Sequence, residues 1–188
     1  MRIIAGEFRG RRLLDPADDA TRPVTDRVKQ RLFDILAPRL PNAIVWDVFA
    51  GTGSFGLESL SRGAASAVFF ERHRPAIERL RKNIATLGVG ERCRVVTGDV
   101  FRLDLQTLPA PGVVCFDPPY RFVRERRDEV NALLHRLADR LTDDGIVLFR
   151  HDAKDDDVTF DLAEVERRAF GSMTARFFGS NANHGEAT

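Results

Sequence analysis

The sequence predicts an α/β protein with a doubly wound, mostly parallel sheet. Two observations predict this fold: from Ile44 onward short apolar runs alternate with amphipathic helical patterns, and several of these runs end beside an acidic residue. Strands this apolar are typical of a parallel sheet that helices cover on both faces. Right-handed crossovers between such strands place a ligand at their carboxyl ends.

The N-terminal region predicts a hairpin followed by a helix. The first dozen residues form two short extended pieces around Gly6 and Gly10. A helix starts at Thr25-Asp26, and Pro38 ends its pattern. One face of this helix is apolar and carries Val28, Leu32, Ile35 and Leu36. Three basic residues are expected largely off that face, namely Arg27, Lys29 and Arg31.

The remaining elements follow the strand and helix alternation. The predicted strands are 44–49, 66–70, 94–96, 113–116 and 146–149. The predicted helices are 54–61, 75–87 and 129–141. Two C-terminal segments, 162–170 and 173–178, flank Gly171-Ser172 and predict an antiparallel pair at the edge of the sheet.

Composition excludes several classes of protein. Apolar residues make up 43% of the 188 and charged residues 30%, an ordinary balance for a globular chain. No run approaches the roughly 18 apolar residues of a membrane span, and the N-terminus lacks a secretory pattern, so we expect a cytoplasmic protein without a membrane partner. Cys93 and Cys115 lie in apolar runs, which favours free thiols. The four histidines have no cysteine partners at ligand spacing, so no metal site is expected.

The net charge of +1 is unevenly distributed along the chain. The first twelve residues contain Arg2, Arg9, Arg11 and Arg12 against the single acid Glu7. Acid concentrates near the C-terminus, at Asp152, Asp155, Asp156 and Asp157. A basic arm on a neutral body can contact phosphates. A solvated hairpin that carries a few arginines is the alternative, and composition alone weighs the two equally.

Four acids lie at or next to the carboxyl ends of predicted strands: Asp47, Glu71, Asp99 and Asp117. An acid there is poorly placed for core packing and well placed to meet a ligand. One such residue indicates little. Four at successive strand ends favour a binding site over solvated loops.

The first strand runs into a glycine-rich turn. Gly51 and Gly53 remove Cβ atoms where the backbone turns sharply and a ligand approaches. With Gly56 they satisfy G-x-G-x-x-G, and Glu71 lies twenty residues beyond Gly51, so a nicotinamide-dependent oxidoreductase is the rival interpretation. Asp47 counts against it, because a carboxylate there would repel a pyrophosphate but could bind the amino-acid part of a cationic sulfonium cofactor.

The fourth strand ends in Asp117-Pro118-Pro119-Tyr120. Successive prolines stiffen the turn and remove backbone donors, which leaves a side-chain acceptor and a free carbonyl. Asp117 and the carbonyl of Pro118 can accept the two N–H groups of a planar amino group on a base, and Tyr120 can stack on its ring. This turn therefore predicts chemistry on an exocyclic amino group.

The Asp117–Tyr120 turn resembles motif IV of the amino-group N-methyltransferases, and Asp47–Gly53 resembles their motif I. The chain from Met1 to about Phe178 resembles the RsmD family, bacterial methyltransferases of the guanine N2 amino group in small-subunit (16S) rRNA. The segments that carry the resemblance are Met1–Gly6 with Arg9–Arg11, Arg22–Val28, Phe49–Gly53 with Gly56–Glu58, Leu60–Ala64 and Asp117–Tyr120.

The resemblance implies a seven-stranded class I methyltransferase sheet that uses S-adenosylmethionine, with an N-terminal RNA-binding arm and helix at 1–41 and the cofactor-binding domain at 42–188. Glu71 would bind the ribose hydroxyls, and Asp99 with the amide of Val100 would bind the adenine. The methionine part would be held by Asp47, Ala50, Gly51 and Gly53. The catalytic residues would be Asp117, Pro118 and Tyr120. The phosphate-binding residues would be Arg9, Arg11, Arg12, Arg22 and Arg27.

The implied partner is ribosomal RNA or the small-subunit particle, bound by a monomer. The sequence departs from the family at Val24, at Lys29-Gln30 and in the acidic stretch 152–157. Two alternatives remain open: an adenine-N6 DNA methyltransferase, which shares the Asp-Pro-Pro-Tyr chemistry, and the oxidoreductase. The chain is short for a separate DNA target-recognition domain, which argues against the first of these.

Overall fold

The computed structural model describes residues 1–16, 24–156, 158–160 and 162–180. These residues contain one seven-stranded sheet with helices on both faces, which confirms the predicted fold class. The strands are β1 (Ile44–Val48), β2 (Ser66–Glu71), β3 (Cys93–Thr97), β4 (Val113–Phe116), β5 (Ile146–Asp152), β6 (Glu164–Phe170) and β7 (Met173–Gly179). The helices are α1 (Asp26–Leu36), α2 (Ser54–Ser61), α3 (Arg74–Leu87), α4 (Tyr120–Glu125) and α5 (Arg127–Ala138).

The strand order is β3-β2-β1-β4-β5-β7-β6. The first five strands are parallel, whereas β7 is antiparallel to both β5 and β6, as the C-terminal pattern predicts. The strand order reverses between β1 and β4, which lie side by side. In an open sheet the crevice at such a reversal is where ligands bind, so the ends of β1 and β4 define the place to look for a site.

Side chains alternate between the two faces of each strand, and two apolar clusters result. One face packs against α1, α2 and α3 and includes Val45, Cys115 and Leu148. The other face packs against α4 and α5 and includes Trp46, Phe116 and Phe149. A residue two positions beyond Val45, Cys115 or Leu148 therefore points to the same side as α2. This rule fixes the direction of several polar side chains at the strand ends.

The local signals explain where several helices begin and end. The Thr25 hydroxyl accepts a hydrogen bond from the Val28 amide at 3.4 Å, so Thr25 caps α1 as predicted. Pro75 lies in the first turn of α3, where its missing N–H costs nothing, and Gly88 ends the helix with φ +69°. No helix within the described ranges is long and apolar enough to cross a membrane.

The two extended N-terminal pieces form a short antiparallel hairpin, as predicted: the amides of Ile3 and Leu13 donate to the carbonyls of Arg11 and Met1 around a bridge between Arg2 and Arg12. Other features differ from the sequence predictions. Helix α4 begins at Tyr120, directly after the proline turn, and was not predicted. Strand β5 continues past Phe149 to Asp152. Lys29 is buried, contrary to the expectation that it lies off the apolar face of α1.

Candidate active site

Three charged side chains project from one face of three neighbouring strands at their carboxyl ends. Asp47 lies two residues beyond Val45 in β1, Asp117 two beyond Cys115 in β4, and Arg150 two beyond Leu148 in β5. Period-2 alternation sends all three toward α2. The predicted residues Asp47 and Asp117 are thus brought to adjacent positions at the strand-order reversal, together with an arginine that the sequence reasoning missed.

The glycine turn after β1 is shaped by three left-handed residues. Phe49 has φ +63°, a conformation uncommon for a bulky side chain, and its ring packs against Phe101 and Phe122. Gly51 has φ +56°, and a Cβ there would have no atom within 4 Å, so its Cβ position faces open space. Gly53 has φ +87°, but a Cβ there would lie 2.5 Å from Leu80. The open side of the turn is therefore at Gly51.

Asp47 is a buried carboxylate at the base of this turn, 1% exposed. Its Oδ2 accepts a hydrogen bond from the Gly56 amide at 2.8 Å. Burial, assisted by the negative charges of Asp117 and Glu71, raises the pKa of Asp47 to about 8, against the opposing effect of that amide. In the described part of the chain no cation forms an ion pair with Asp47, and only the charge of Lys29 adds to the opposing effect of the amide. A buried acid is costly to keep charged without such a partner, and a positively charged ligand would supply one.

The two further strand-end acids lie on the β2 and β3 side of the turn. Glu71 Oε2 accepts from the Gly51 amide at 2.8 Å, and its Oε1 accepts from the amides of Arg72 and His73. Asp99 is partly exposed; its Oδ1 accepts from the Phe101 amide at 3.3 Å. Both carboxylates are held by backbone amides and keep spare acceptor capacity for hydroxyl or amino groups of a ligand.

These features fit the cofactor that the resemblance implies. The open space over Gly51 admits a ligand, and Asp47 and Glu71 provide acceptors on either side of it. Ala50 precedes Gly51 in the turn and donates its amide to the Phe70 carbonyl, while Val100 is buried next to Asp99. Within the described ranges, no cluster of three His, Cys, Asp or Glu side chains is arranged to hold a metal.

The proline turn after β4 presents Asp117 and Tyr120. The Asp117 amide donates to the Val48 carbonyl of β1 at 3.3 Å, so this turn continues directly from the β1–β4 pairing. Pro118 is buried, and Pro119 precedes the first turn of α4. Burial raises the pKa of Asp117, and the nearby Arg150 guanidinium opposes that rise. Asp117 remains 27% exposed, which leaves it accessible from the crevice.

Arg150 contacts both functional side chains of the proline turn. Its Nη1 donates to Asp117 Oδ2 at 2.5 Å, and its Nη2 donates to the Tyr120 hydroxyl at 3.3 Å. The only signal in the sequence is an arginine directly after the apolar run Ile146–Phe149. A strand-end arginine is usually solvated, so the sequence alone does not distinguish it from a surface residue.

The N-terminal arm is held by a buried carboxylate in α2. Glu58 is 0% exposed and accepts hydrogen bonds from the amides of Ile4 and Ala5 at 2.8 and 3.1 Å. Its two cationic partners are Lys29 at 3.0 Å and Arg62 at 2.8 Å. A Cβ at Gly6 would lie 1.8 Å from the Ser61 carbonyl, so only glycine allows this close approach. The sequence reasoning missed Glu58 and Lys29 as anchors of the arm.

The predicted phosphate-binding arginines of the arm lie on its exterior. Arg9, Arg11 and Arg12 are exposed, as is Arg27 on α1. Arg2, by contrast, is paired with Asp26 at 2.6 Å. Arg22 lies outside the described residues. The structure therefore leaves three arm arginines and Arg27 accessible to a polyanion.

The distal end of the arm is tied to the glycine turn. The Asn83 side chain of α3 accepts from the Leu14 amide at 2.8 Å and donates to the Thr52 carbonyl at 2.9 Å. Asn83 is buried, so this bridge is shielded from water. The arm thus contacts α2 near Ser61 and is joined to the glycine turn through Asn83.

Two aspartates of the acidic stretch 152–157 form ion pairs with arginines. Asp155 is buried and forms an ion pair with Arg124 of α4. Asp156 lies 3.3 Å from Arg167 of β6. Asp157 lies outside the described residues. The stretch therefore helps to connect α4 and β6 to the end of β5.

Comparison with known proteins shows the family. The family described as Conserved hypothetical protein 95 matches residues 1–179. Ribosomal RNA small subunit methyltransferase D of Escherichia coli (strain K12) is 44% identical over 121 residues, 64% of this chain and 61% of that protein. The chain thus matches about three fifths of that relative's length. The protein YlbH of Bacillus subtilis (strain 168) is 31% identical over 178 residues, 91% of this chain and 94% of YlbH.

Solved structures agree with this result. The Escherichia coli protein yhhF superposes with a TM-score of 0.79 at 34% identity, covering 96% of this chain and 99% of yhhF. An RNA methyltransferase from Salinibacter ruber, solved with S-adenosyl-L-homocysteine, shares the fold with a TM-score of 0.63 at 20% identity, covering 84% and 92%. The chain therefore belongs to the RsmD family of methyltransferases.

Proposed function

We propose that this protein transfers a methyl group from S-adenosylmethionine to the exocyclic N2 amino group of a guanine in small-subunit rRNA. The observation that carries the proposal is the adjacency of Asp47 and Asp117 at the carboxyl ends of β1 and β4. A cofactor-side carboxylate and an amino-group acceptor on neighbouring strand ends bring donor and acceptor within one crevice. The name of the Escherichia coli relative, a small-subunit rRNA methyltransferase, supports the choice of substrate.

The chain's own residues divide the work between cofactor and base. Asp47, Ala50, Gly51 and Gly53 hold the methionine part, Glu71 the ribose, and Asp99 with Val100 the adenine. S-adenosylmethionine supplies an electrophilic methyl group when bound. The complex of the Salinibacter ruber neighbour with S-adenosyl-L-homocysteine supports this cofactor.

On the base side, Asp117 and the carbonyl of Pro118 accept the two N–H groups of the target nitrogen, which directs its lone pair toward the methyl group. Tyr120 stacks on the base, an interaction of about 1–3 kcal/mol in nucleic-acid binders. Holding the reacting atoms in line turns a bimolecular encounter into a unimolecular step. A guanine inside a helix cannot present N2 in this way, so the substrate base is unpaired or flipped out.

Mass analysis of nucleosides tests the proposal. Purified protein is incubated with S-adenosylmethionine and, in separate reactions, with protein-free small-subunit rRNA, assembled small subunits or duplex DNA, and digested nucleosides are compared with the input. The expected product is N2-methylguanosine in at least one of the two RNA substrates. N6-methyladenine formed in DNA, with unmodified rRNA, would favour the DNA methyltransferase alternative and overturn the proposal.

Cofactor choice separates the methyltransferase from the oxidoreductase. We expect S-adenosylmethionine or its demethylated product to bind, and NAD not to bind, because a pyrophosphate would add negative charge beside the acids Asp47, Glu71 and Asp117, whereas a cationic ligand would stabilise them. Isothermal titration calorimetry with both ligands, on one preparation of protein, measures this difference. Saturable NAD binding without S-adenosylmethionine binding would contradict the assignment of the glycine turn.

The arm arginines provide a test of RNA capture. If Arg9, Arg11 and Arg12 neutralise phosphates, replacing all three by alanine should weaken RNA binding and flatten the dependence of log affinity on log salt. Each lost contact is expected to reduce that slope by about 0.7–0.9. Cofactor affinity should stay unchanged, because the Glu58 and Asn83 anchors of the arm are retained.

The measurement is a salt titration with an RNA fragment that the wild type methylates. A matched control replaces Arg74, Arg81 and Arg94 by alanine, since these are also exposed arginines but lie on α3 and β3. Equal salt-dependence slopes and equal affinities for wild type and arm variant would show that the arm arginines are solvated and do not contact RNA phosphates. Substrate capture would then be sought beside the proline turn, at Arg121, Arg124 and Arg126.

A further inference from the structure

Arg150 occupies a position that the sheet itself aligns with the proline turn. Phe149 in β5 pairs with Phe116 in β4, so the next residues along the two parallel strands, Arg150 and Asp117, are also neighbours. Adjacent strands lie about 4.8 Å apart, a separation that a long side chain easily spans. The register of β4 and β5 therefore directs this arginine to the Asp117 carboxylate.

Groups from four different elements hold the Arg150 guanidinium. Beyond Asp117 and Tyr120, its Nε lies 2.9 Å from the Met173 sulfur of β7, and its centre lies 5.4 Å from the Phe55 ring of α2. The side chain is only 5% exposed. Because the guanidinium is planar and its donors form a rigid fork, these contacts fix its orientation and not only its charge.

The two oxygens of the Asp117 carboxylate have different surroundings. Among the described residues, Arg150 is the side chain that donates to Asp117, and it uses Oδ2. Oδ1 is then the oxygen available to a ligand in the crevice. The same guanidinium holds the Tyr120 hydroxyl, which fixes the position of the outer end of the ring. One arginine thus orients both an acceptor and a stacking surface.

We infer that Arg150 is a positioning residue of this site: it fixes Asp117 Oδ2 and the Tyr120 hydroxyl, so that Asp117 Oδ1 receives the target amino group. The inference rests on the proposed function for the identity of the amino group. The contacts with Asp117 and Tyr120 are independent of it.

The charges around the turn explain why a cation is needed there. Asp117 faces Asp47 of β1, the Cys115 thiol of β4 and Arg150. Tyr120 faces Asp117, Asp152 and Arg150. Arg150 is the cation in both sets. Without Arg150, the Asp117 carboxylate and the Tyr120 phenol would have only acidic groups as charged neighbours. Negative neighbours favour the protonated form of both groups.

Tyr120 reports on this contact directly, because it is the single tyrosine of the chain. Burial raises the pKa of the Tyr120 phenol, and the charge and hydrogen bond of Arg150 oppose that rise. The phenolate absorbance is titrated with alkali in wild type, Arg150→Gln, Arg150→Lys and Arg176→Gln. Arg176 is a matched control: it is 4% exposed and lies on β7, but pairs with Glu164.

We expect the phenol of Arg150→Gln to ionise at higher pH than that of wild type, and Arg150→Lys to move it back toward wild type. Arg176→Gln should leave it unchanged. Methyl transfer by Arg150→Gln should show kcat reduced about tenfold or more, as when a charged hydrogen bond is lost, with unchanged KM for the cofactor. The acidic limb of the pH–rate profile of Arg150→Gln should move to higher pH, because loss of the arginine charge raises the pKa of Asp117.

Equal phenol titrations in wild type and Arg150→Gln, or a shift of equal size in Arg176→Gln, would overturn the inference. If Arg150→Gln does not fold, Arg150→Lys with altered side-chain geometry keeps both measurements possible. A wild-type protein that methylates no rRNA would overturn the proposed function and leave the phenol titration to decide the contact role of Arg150. The two failures are therefore distinguishable.

Discussion

Replacing Asp117 by alanine is expected to lower kcat for methyl transfer about a hundredfold or more, the range in which positioned proton acceptors contribute to catalysis. The reason is that Asp117 is the side-chain acceptor for the target amino group. The Kd for S-adenosylmethionine should stay within about twofold of wild type, since no cofactor contact is assigned to Asp117. Single-turnover methylation and calorimetry on the same protein measure the two quantities.

Removal of Asp117 also leaves Arg150 without its carboxylate partner, which is destabilising for a buried charge. Asp117→Asn is therefore a second variant, because the amide keeps one oxygen for Arg150 while it loses the charge and the second acceptor oxygen. Asp128→Ala is a matched control, since Asp128 is an exposed aspartate on α5. Wild-type turnover in Asp117→Ala would show that the proline turn does not serve as the amino-group acceptor.

Asp47→Asn is expected to raise the free energy of unfolding and to abolish tight cofactor binding. Since the pKa of Asp47 is raised to about 8, the folded protein binds a proton there that the unfolded chain releases near pH 4. Its contribution to stability is complete below about pH 4 and is lost as pH rises through about 8. Asparagine stays neutral and keeps an acceptor for Gly56, so this loss disappears.

The size of the effect follows from the same linkage. Between the unfolded pKa near 4 and pH 7 lie about three pH units, and each unit corresponds to about 1.4 kcal/mol. The gain in the free energy of unfolding of Asp47→Asn at neutral pH is therefore at most on the order of 4 kcal/mol. Chemical denaturation of wild type and Asp47→Asn at pH 5 and pH 8 measures it, with Asp128→Asn as an exposed control. Parallel pH dependences for the two proteins would show that folding does not raise the pKa of Asp47. Cofactor affinity should fall at least about tenfold, because the cationic part of the ligand loses its partner.

Taken together, these two variants separate stability from binding at neighbouring strand ends. Asp47 is expected to weaken the fold at neutral pH while serving the ligand, whereas Asp117 is compensated by Arg150. The difference lies in the neighbouring strand on the outer side of each acid. Next to β4, strand β5 carries Arg150, which pairs with Asp117. Next to β1, strand β2 ends in Glu71, an acid whose oxygens already accept backbone amides. An acid that the fold does not neutralise is one that a cationic ligand can stabilise.

The sequence by itself determined all seven strands, four of the five α-helices, the four strand-end acids and the proline turn. Apolar periodicity, helix caps and stiff turns are local properties, so each can be recognised within a short stretch such as Thr25–Val28 or Asp117–Tyr120. The resemblance to the RsmD family added the assignment of the chain to a class of chemistry, and the match to residues 1–179 confirmed that family.

Only the tertiary structure decided which charged side chains are buried and what they contact. The helical pattern of α1 predicts that Lys29 lies off the apolar face, yet Lys29 is buried against Glu58. Arg150 contacts Asp117 although the two residues are 33 positions apart in the chain. Such pairs depend on which strands are neighbours, on their register and on which helix covers them. Those are properties of the packed sheet, and no local pattern of residues records them.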